Sequence, residues 1–349
     1  MTSRASRILR FSMRPQLAVD LGTANTVVYQ RGEGIVLFEP SIVAIDQRTG
    51  KVYAVGSEAR QMIGRTPAHI LATRPLRDGV IADFEATEQM LRHFIRKAAG
   101  GPRFHADVMV CVPSGITQVE RNAVTRAARA AGATHAFLIE EPMAAAVGAG
   151  LPVAEAVGAL VVDIGGGTTE TAVTALGGLA VVNSIKVGGY QMDDAIVRAV
   201  NQQQRLLVGQ EQAEALKIAI GSAIAAADRH EQADIAGRDL VTGLLRRISV
   251  TSLEIRTALH DPLQQIVAAV KDLLDQTPAE LSADLIEQGI TMVGGGALMP
   301  GIDRLLQKET GLPVKIADSP LITVALGAGQ ALEELDTLRS RGARSRDYT

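Results

Sequence analysis

Leu160–Thr171 reads LVVDIGGGTTET. Leu160, Val161 and Val162 form an apolar, β-prone run that ends in Asp163. Three glycines and two threonines follow, then a second β-prone stretch over Thr171–Thr174. The pattern predicts a strand, a Gly-rich hairpin turn and a second strand. Consecutive glycines let the backbone turn sharply and gather successive N–H groups into one concavity that suits phosphate oxygens. Asp163 at the strand end can hold a Mg2+ through its water shell, because Mg2+ prefers one or two carboxylates beside phosphate oxygens. Taken alone, the same residues also describe an ordinary hairpin turn.

A second copy tips the balance. Leu17–Thr26 reads LAVDLGTANT: an apolar strand, Asp20, a turn at Gly22, small and hydroxyl residues, then the strand-like Val27–Tyr29. Both stretches share D-[LI]-G-x-x-x-T, which predicts two similar domains, each offering a hairpin to one polyphosphate. A Walker A loop is excluded, and the dinucleotide reading is weak. The only Gly-Lys pair, Gly50-Lys51, is followed by Val52 and lacks Walker A spacing, and no G-x-G-x-x-G occurs.

The 349 residues suffice for two domains with full cores. Hydrophobic content of 47% and charged content of 21% are those of a globular chain, and a net charge of −3 argues against a nucleic-acid-binding surface. Cys111 is the one cysteine and sits in the apolar run Val108–Val112, so a buried structural thiol is expected rather than a nucleophile. No apolar run reaches the ~18 residues of a membrane span, and no secretory leader is read. The expected compartment is the cytoplasm.

Residues 1–14 carry Arg4, Arg7, Arg10 and Arg14 without an acid, with Ile8, Leu9, Phe11 and Met13 between them. Such a segment is either a basic amphipathic helix for an anionic membrane surface or a disordered start. Further on, Val27–Val55 predicts a β-meander and Ser57–Met62 a helix. A Pro-interrupted loop is expected over Thr66–Asp78, and a helix over Phe84–Ala99. Asp107–Val112 and Phe137–Ile139 read as strands, and Glu141–Gly148 as a helix with Pro142 in its first turn. In the second half, helices are expected at Met192–Gln203 and Glu211–Ile220. The latter carries Glu214 and Lys217 on one face. Leu240–Val250 reads as strand–turn–strand, and Ser252–Leu274 as a helix broken at Pro262. A strand over Gly289–Val293 leads into Gly294, Gly295 and Gly296 and a following helix, a place where a nucleotide can approach the backbone closely. Strands alternating with helices indicate an α/β class with mixed sheets.

Three Gly-rich elements in this order resemble the actin, hexokinase and heat-shock ATPase superfamily, and within it the MreB/Mbl family of bacterial actins. The motifs that carry the resemblance are DLGTANT at 20–26, EPSIVAID at 39–46, RPLRDGVIADF at 74–84, VPSGIT at 112–117, IEEPMAAA at 139–146, VVDIGGGTTE at 161–170, GRDLVTGL at 237–244 and GGGALMPG at 294–301. The resemblance implies an actin-like two-domain fold: two ribonuclease-H-like domains around a nucleotide cleft, each with a smaller subdomain. Domain I is expected over 15–150 (small subdomain about 32–75) and domain II over 151–336 (small subdomain about 190–250), with a disordered tail over 337–349. It further implies slow hydrolysis of ATP with Mg2+, coupled to assembly into homopolymeric filaments. These would lie on the inner face of the cytoplasmic membrane and work with cell-wall synthesis proteins. By motif, Thr23, Ala24 and Asn25 would cradle phosphates from the first domain and Gly165, Gly166, Gly167 and Thr168 from the second. Asp20 and Asp163 would hold Mg2+, Gly294, Gly295 and Gly296 with Met299 would wall the adenosine, and Glu214 and Lys217 would reach the ribose. Glu141 would position the attacking water, with Glu140 as the neighbouring alternative.

Departures from the family pattern fall at Tyr190, where an acid is usual, and at Ala215 and Ala219 on the ribose side. The membrane loop is reduced to Pro102–His105, with Phe104 as its one large apolar side chain. Other functions of the superfamily fit less well. A chaperone needs a peptide-binding domain after Gly294 that the remaining residues cannot supply, and a kinase needs a substrate-site Asp that no motif offers. A nucleotide-binding scaffold with negligible hydrolysis stays open.

Overall fold

The computed structural model describes residues 15–101, 106–225 and 231–340. The expectations for residues 1–14, for Phe104 and its loop, and for the tail beyond Ser340 lie outside the described residues. The chain divides into two compact units. The first comprises residues up to Val112, Ile116–Ala144 and the chain from Ala325; the second comprises Pro113–Gly115 and Ala145–Val324.

The first unit begins with the expected hairpin, β1 (Gln16–Leu21) and β2 (Asn25–Gln30), continued by β3 (Gly34–Pro40). β4 (Val43–Asp46) and β5 (Lys51–Val55) follow, then α1 (Ser57–Met62), β6 (Ile70–Thr73), β7 (Leu76–Arg77), β8 (Val80–Ile81) and α2 (Phe84–Ala98). The unit goes on with β9 (Ala106–Val112), α3 (Gln118–Ala131), β10 (Ala133–Glu140) and α4 (Glu141–Gly148). Its main sheet has the order β10-β9-β1-β2-β3. β1, β9 and β10 run parallel, and β1–β2–β3 is antiparallel. Leu17, Val19, Val108 and Val110 pack from this sheet against Met90, Leu91, Phe94 and Ile95 of α2. Cys111 is buried in β9, as expected.

Two readings need correction here. The meander is split, because β4 and β5 leave the main sheet and pair with β6 in a sheet of their own. The loop expected over Thr66–Asp78 contains β6 and β7. A four-residue strand between Pro67 and Pro75 shows too few alternations to be read, and its pairing with β4 decides it.

In the second unit β11 (Ala159–Ile164), β12 (Thr169–Ala175) and β13 (Gly178–Ile185) form the antiparallel half of a sheet ordered β13-β12-β11-β17-β18. α5 (Gly189–Gln204), β14 (Leu206–Leu207) and α6 (Gln210–Ile220) come next. Then follow the hairpin β15 (Gln232–Asp239) and β16 (Leu245–Thr251), α7 (Ser252–Gln276), α8 (Ala279–Gln288) and β17 (Ile290–Val293). A 3-10 turn (Gly295–Leu298), α9 (Ile302–Thr310), β18 (Val314–Ile316) and α10 (Thr323–Ser340) close the order. β17 pairs parallel to β11, and β18 to β17. The strand plan therefore repeats that of the first unit, as the repeated D-[LI]-G-x-x-x-T stretches predict. β11 is central and buried along its whole length, which is why it reads as an unbroken apolar run.

α7 runs through Pro262 without the expected break. Proline removes one helix hydrogen bond and costs about 3 kcal/mol. Ile255, Leu259, Leu263, Ile266, Val270 and Leu273 lie on one buried stripe of that helix. At roughly 1.5–3 kcal/mol each, their burial outweighs that cost. The strand–turn–strand expected over Leu240–Val250 is shifted, since Leu240–Leu244 is the turn and the first strand precedes it. Asp239 fixes that turn by accepting the backbone N–H groups of Val241 and Thr242, both at 2.9 Å. α10 also departs from expectation. It continues to Ser340, past the start of the expected tail, and it packs with the first unit rather than the second. Tyr29 donates its hydroxyl to Glu333 at 2.9 Å, and Gly329 lies so close to the Tyr29 ring that a Cβ there would sit 2.4 Å from it.

Candidate functional site

The hairpin between β11 and β12 closes with the Gly165 N–H donating to the Thr168 carbonyl at 2.9 Å. Two further carbonyls of this turn are spoken for by the start of α5. Gly189 N–H donates to Gly165 O at 3.0 Å and Tyr190 N–H to Gly166 O at 2.8 Å. In a trans peptide the carbonyl and the next N–H point opposite ways. The N–H groups of Gly166 and Gly167 are therefore turned away from α5, side by side. Neither has an acceptor among the described residues. Two such amides suit phosphate oxygens. Gly188 has to be glycine for steric reasons, because a Cβ there would lie 2.6 Å from Gly165 O. Thr169 secures the far side by donating its hydroxyl to Val187 O at 2.7 Å.

The third Gly-rich element is drawn onto the same strand end. Gly294 has φ +80°, and a Cβ on it would meet Asp163 Oδ1 at 2.3 Å and Ile164 O at 2.5 Å. At Gly296 a Cβ would meet Ile164 Cγ2 at 2.2 Å. Both glycines let the 3-10 turn lie directly against β11. Gly295 is exposed, whereas the Met299 side chain belongs to the unit's hydrophobic core. On α6, Lys217 turns inward. Its ammonium lies 2.7 Å from Asp193 Oδ1 and donates to Gly189 O at 3.0 Å. Glu214, three residues earlier, adds its charge to the surroundings of Asp193.

In the first unit, β1, β9 and β10 end at one level, with Val112 beside Glu140 and Val110 beside Val19. The turn of Asp20, Gly22, Thr23, Ala24 and Asn25 and the residue Glu141 thus lie along the same C-terminal sheet edge, where α/β sheets bind ligands. Ser41 braces the turn. It donates its hydroxyl to Gly22 O at 2.6 Å and its N–H to Ala24 O at 2.9 Å. Thr23 is buried and accepts the Gly79 N–H on its hydroxyl at 3.2 Å. The two adjacent acids differ: Glu140 is paired with Arg121 at 3.2 Å, while Glu141 opens α4.

Burial pushes the Asp163 carboxyl from 3.8 up to about 6. It has no hydrogen-bond or cation partner among the described residues, so an ionised Asp163 calls for an added cation. That fits a Mg2+ held by one or two carboxylates and completed by phosphate oxygens. No cluster of three or more His, Cys, Asp or Glu that could hold a metal occurs among the described residues, which this mode of binding does not require. Across the hairpin, Glu170 pairs with Asp163 in register and is buried. Burial raises its carboxyl, opposed by the Ser114 N–H donated to it at 3.1 Å. Asp193 is likewise pushed up to about 6 by burial, with Lys217 opposing the shift. Asp193, Glu170, Ser114 and Ser41 are missing from the sequence-derived site. Each lies in a motif quoted above or beside Gly189, but only folding shows what it touches.

The MreB/Mbl protein family matches residues 14–340 of the chain. The cell shape-determining protein MreB of Escherichia coli (strain K12) is 52% identical over 326 residues, covering 92% of this chain and 94% of that protein. Among solved structures, MreB5 of Spiroplasma citri bound to ADP is similar with a TM-score of 0.89 and 37% identity, covering 95% of this chain and 99% of that one. The same protein bound to AMPPNP has a TM-score of 0.90 over the same shares.

Proposed function

The chain belongs to the MreB/Mbl protein family, and from that premise we propose that it is an actin-like ATPase. It binds Mg2+–ATP and assembles into filaments on the inner face of the cytoplasmic membrane, where they guide cell shape and peptidoglycan synthesis. The observation that carries the nucleotide reading is the pair of amides at Gly166 and Gly167 turned from α5, near the buried carboxylate of Asp163, which has no partner among the described residues. The amides suit phosphate oxygens and the carboxylate suits a hydrated Mg2+, with the turn at Asp20, Thr23, Ala24 and Asn25 as the first unit's counterpart. The nucleotides bound to the Spiroplasma relative support the same ligand class. Bound Mg2+ supplies neutralisation of phosphate charge, and Glu141 orients the attacking water. The departure at Tyr190 leaves the loop intact, because it is the Tyr190 backbone N–H that holds Gly166.

Self-association is supported by the tip of the β15–β16 hairpin. Leu240, Val241, Leu244 and Leu245 are exposed there, the last at 89%, on a turn that Asp239 holds rigid. A contact from such a tip to a different patch on the next copy is heterologous and builds an open polymer where its rotation does not close a ring. Membrane attachment would rest on residues 1–14, with four arginines and no acid between apolar side chains; no described helix is long and apolar enough to cross a membrane. A scaffold with negligible hydrolysis is the second reading, favoured by the departures at Ala215 and Ala219, which are both exposed on α6. Titration with fluorescent ATP with and without Mg2+, followed by pelleting and phosphate release, tests the proposal. Mg2+-dependent binding and ATP-dependent pelleting are expected. Pelleting without phosphate release selects the scaffold, and absence of ATP binding sinks both.

A further inference from the structure

We propose that α5 is a strut that carries the state of the phosphate loop to the β15–β16 tip, with Arg246 fastening its far end. The inference rests on the nucleotide reading of the Gly165–Thr168 turn and on the tip as a contact between copies, and it names how the first regulates the second. At the near end of α5 two peptide planes are shared. The Gly165–Gly166 peptide gives its carbonyl to the Gly189 N–H at 3.0 Å, and the Gly166–Gly167 peptide gives its carbonyl to the Tyr190 N–H at 2.8 Å. The N–H groups of the same two peptides point the opposite way. A phosphate that takes them grips planes that the first turn of α5 already holds from behind. Hydrogen bonds on the two sides of one amide strengthen each other. A ligand that orders these planes therefore orders the start of α5 with them.

The helix runs from Gly189 to Gln204, roughly 24 Å at 1.5 Å per residue. Met192, Ile196 and Val200 lie buried along one stripe, so the core holds it along its length. The last carbonyls of a helix have no partners within it, and here the hairpin supplies them. Leu240 donates its N–H to Arg205 O at 2.9 Å, and the Arg246 guanidinium donates to Gln204 O. A cation at a helix C-terminus is also favoured by the helix dipole. The same guanidinium lies 3.4 Å from Asp239 Oδ2, while Asp239 Oδ1 accepts the N–H groups of Val241 and Thr242. Arg246 thus joins the end of α5 to the acid that makes the turn. Through that joint the exposed Leu240, Val241, Leu244 and Leu245 are placed by α5 as well as by their own strand ladder. With the loop ordered by ATP, less freedom remains to be lost when the tip is fixed against another copy. The Gln204 side chain has a separate partner in Glu254 of α7 at 3.0 Å, so losing Arg246 frees the tip and leaves the helix end in place.

Arg246→Met removes the fastening and keeps the apolar tip. Arg247→Met removes the same charge one residue on, where the side chain points to the other face of the hairpin. Melting temperatures establish that each variant is folded. Critical concentrations for pelleting are measured with Mg2+–ATP and without nucleotide, beside ATP affinity. Amide hydrogen exchange of residues 238–246 is compared with and without Mg2+–ATP below the critical concentration, where contacts between copies do not contribute. The wild type and Arg247→Met are expected to pellet at about tenfold or more lower concentration with ATP than without it, and ATP slows exchange at the tip in both. In Arg246→Met the two critical concentrations come within about twofold of each other, ATP leaves tip exchange unchanged, and ATP affinity stays within about threefold of the wild type. The proposal is overturned if Arg246→Met raises both critical concentrations by the same factor and keeps the exchange response, because Arg246 then serves only the contact. A wild type that binds ATP without slowing exchange at the tip overturns the strut alone, whatever the variants do. A wild type that binds no ATP overturns the nucleotide reading, and the strut with it.

Discussion

Burial holds the Asp163 carboxyl near 6 instead of 3.8, so the folded chain keeps a proton there more tightly than the unfolded chain does. Stability from this group is complete below the lower value and is lost as pH rises through the higher one. At neutral pH the loss amounts to at most about 3 kcal/mol. Asp163→Asn removes it, so the nucleotide-free variant is expected to melt above the wild type at pH 7.5. The gain should shrink toward pH 4, and the same variant should lose Mg2+-dependent ATP binding. Melting curves across that pH range, with and without Mg2+–ATP, check both halves. Glu141 differs in kind, because the role proposed for it, orienting the attacking water, acts on the reaction more than on binding. Glu141→Gln is expected to slow single-turnover phosphate release by about 100-fold or more while ATP affinity stays within a few-fold. Glu140→Gln breaks only the partly exposed pair with Arg121, worth up to about 1 kcal/mol. Its hydrolysis should stay at the wild-type rate; a slow Glu140 variant beside a fast Glu141 variant would exchange the two roles.

The hairpins and the turns that meet them are where glycine is decisive. Gly188→Ala is expected to push back Gly165 O, which lies 2.6 Å from the new Cβ, and to weaken ATP about tenfold or more with a small change in melting temperature. Unchanged affinity would show that the loop can yield. At the β15–β16 tip, Leu245→Glu places a charge on an 89% exposed position. The fold should be untouched and Mg2+–ATP binding intact, while ATP-dependent pelleting falls sharply. Pelleting at the wild-type level would remove the tip from the polymer contact. Elements with strong local signals were legible before the structure. Both Asp–Gly hairpins, the helix at Phe84–Ala98 and the Gly294 turn declare themselves through apolar periodicity and glycine. Elements decided by tertiary contact were not. β6 depends on pairing with β4, α7 passes Pro262 because a buried stripe holds it, and Leu240–Val241 looks like strand while Asp239 makes it a turn. The site divides the same way. Glycines and acids in the motifs could be found by spacing, but the Asp193–Lys217 pair joins two helices that sequence cannot bring together.

At the scale of the whole molecule, the proposed attachment to a lipid surface would be a matter of number. The four arginines of residues 1–14 contribute about 1 kcal/mol each near an anionic surface. Ordering the segment would cost roughly 1 kcal/mol per residue, so one copy would bind weakly and a filament would bind by many copies at once. Deleting residues 2–14 is expected to leave ATP-dependent pelleting intact and to abolish most co-sedimentation with anionic liposomes, and salt should weaken the wild-type interaction. A truncated protein that still coats liposomes would redirect attention to Phe104. The placement of α10 has a consequence of another sort, in time rather than space. A ribosome delivers the chain from its N-terminus at about 5–20 residues per second. The second unit is almost contiguous, and all of it has been delivered by Val324, whereas the first unit waits for the residues from Ala325 onward. Until they emerge, the Tyr29 ring lacks the cover of Gly329 and its hydroxyl lacks Glu333. The half of the protein that is begun first is thus finished last, and a nascent chain can shape its Gly165–Thr168 loop before it is able to complete the partner to which that loop is related by repetition.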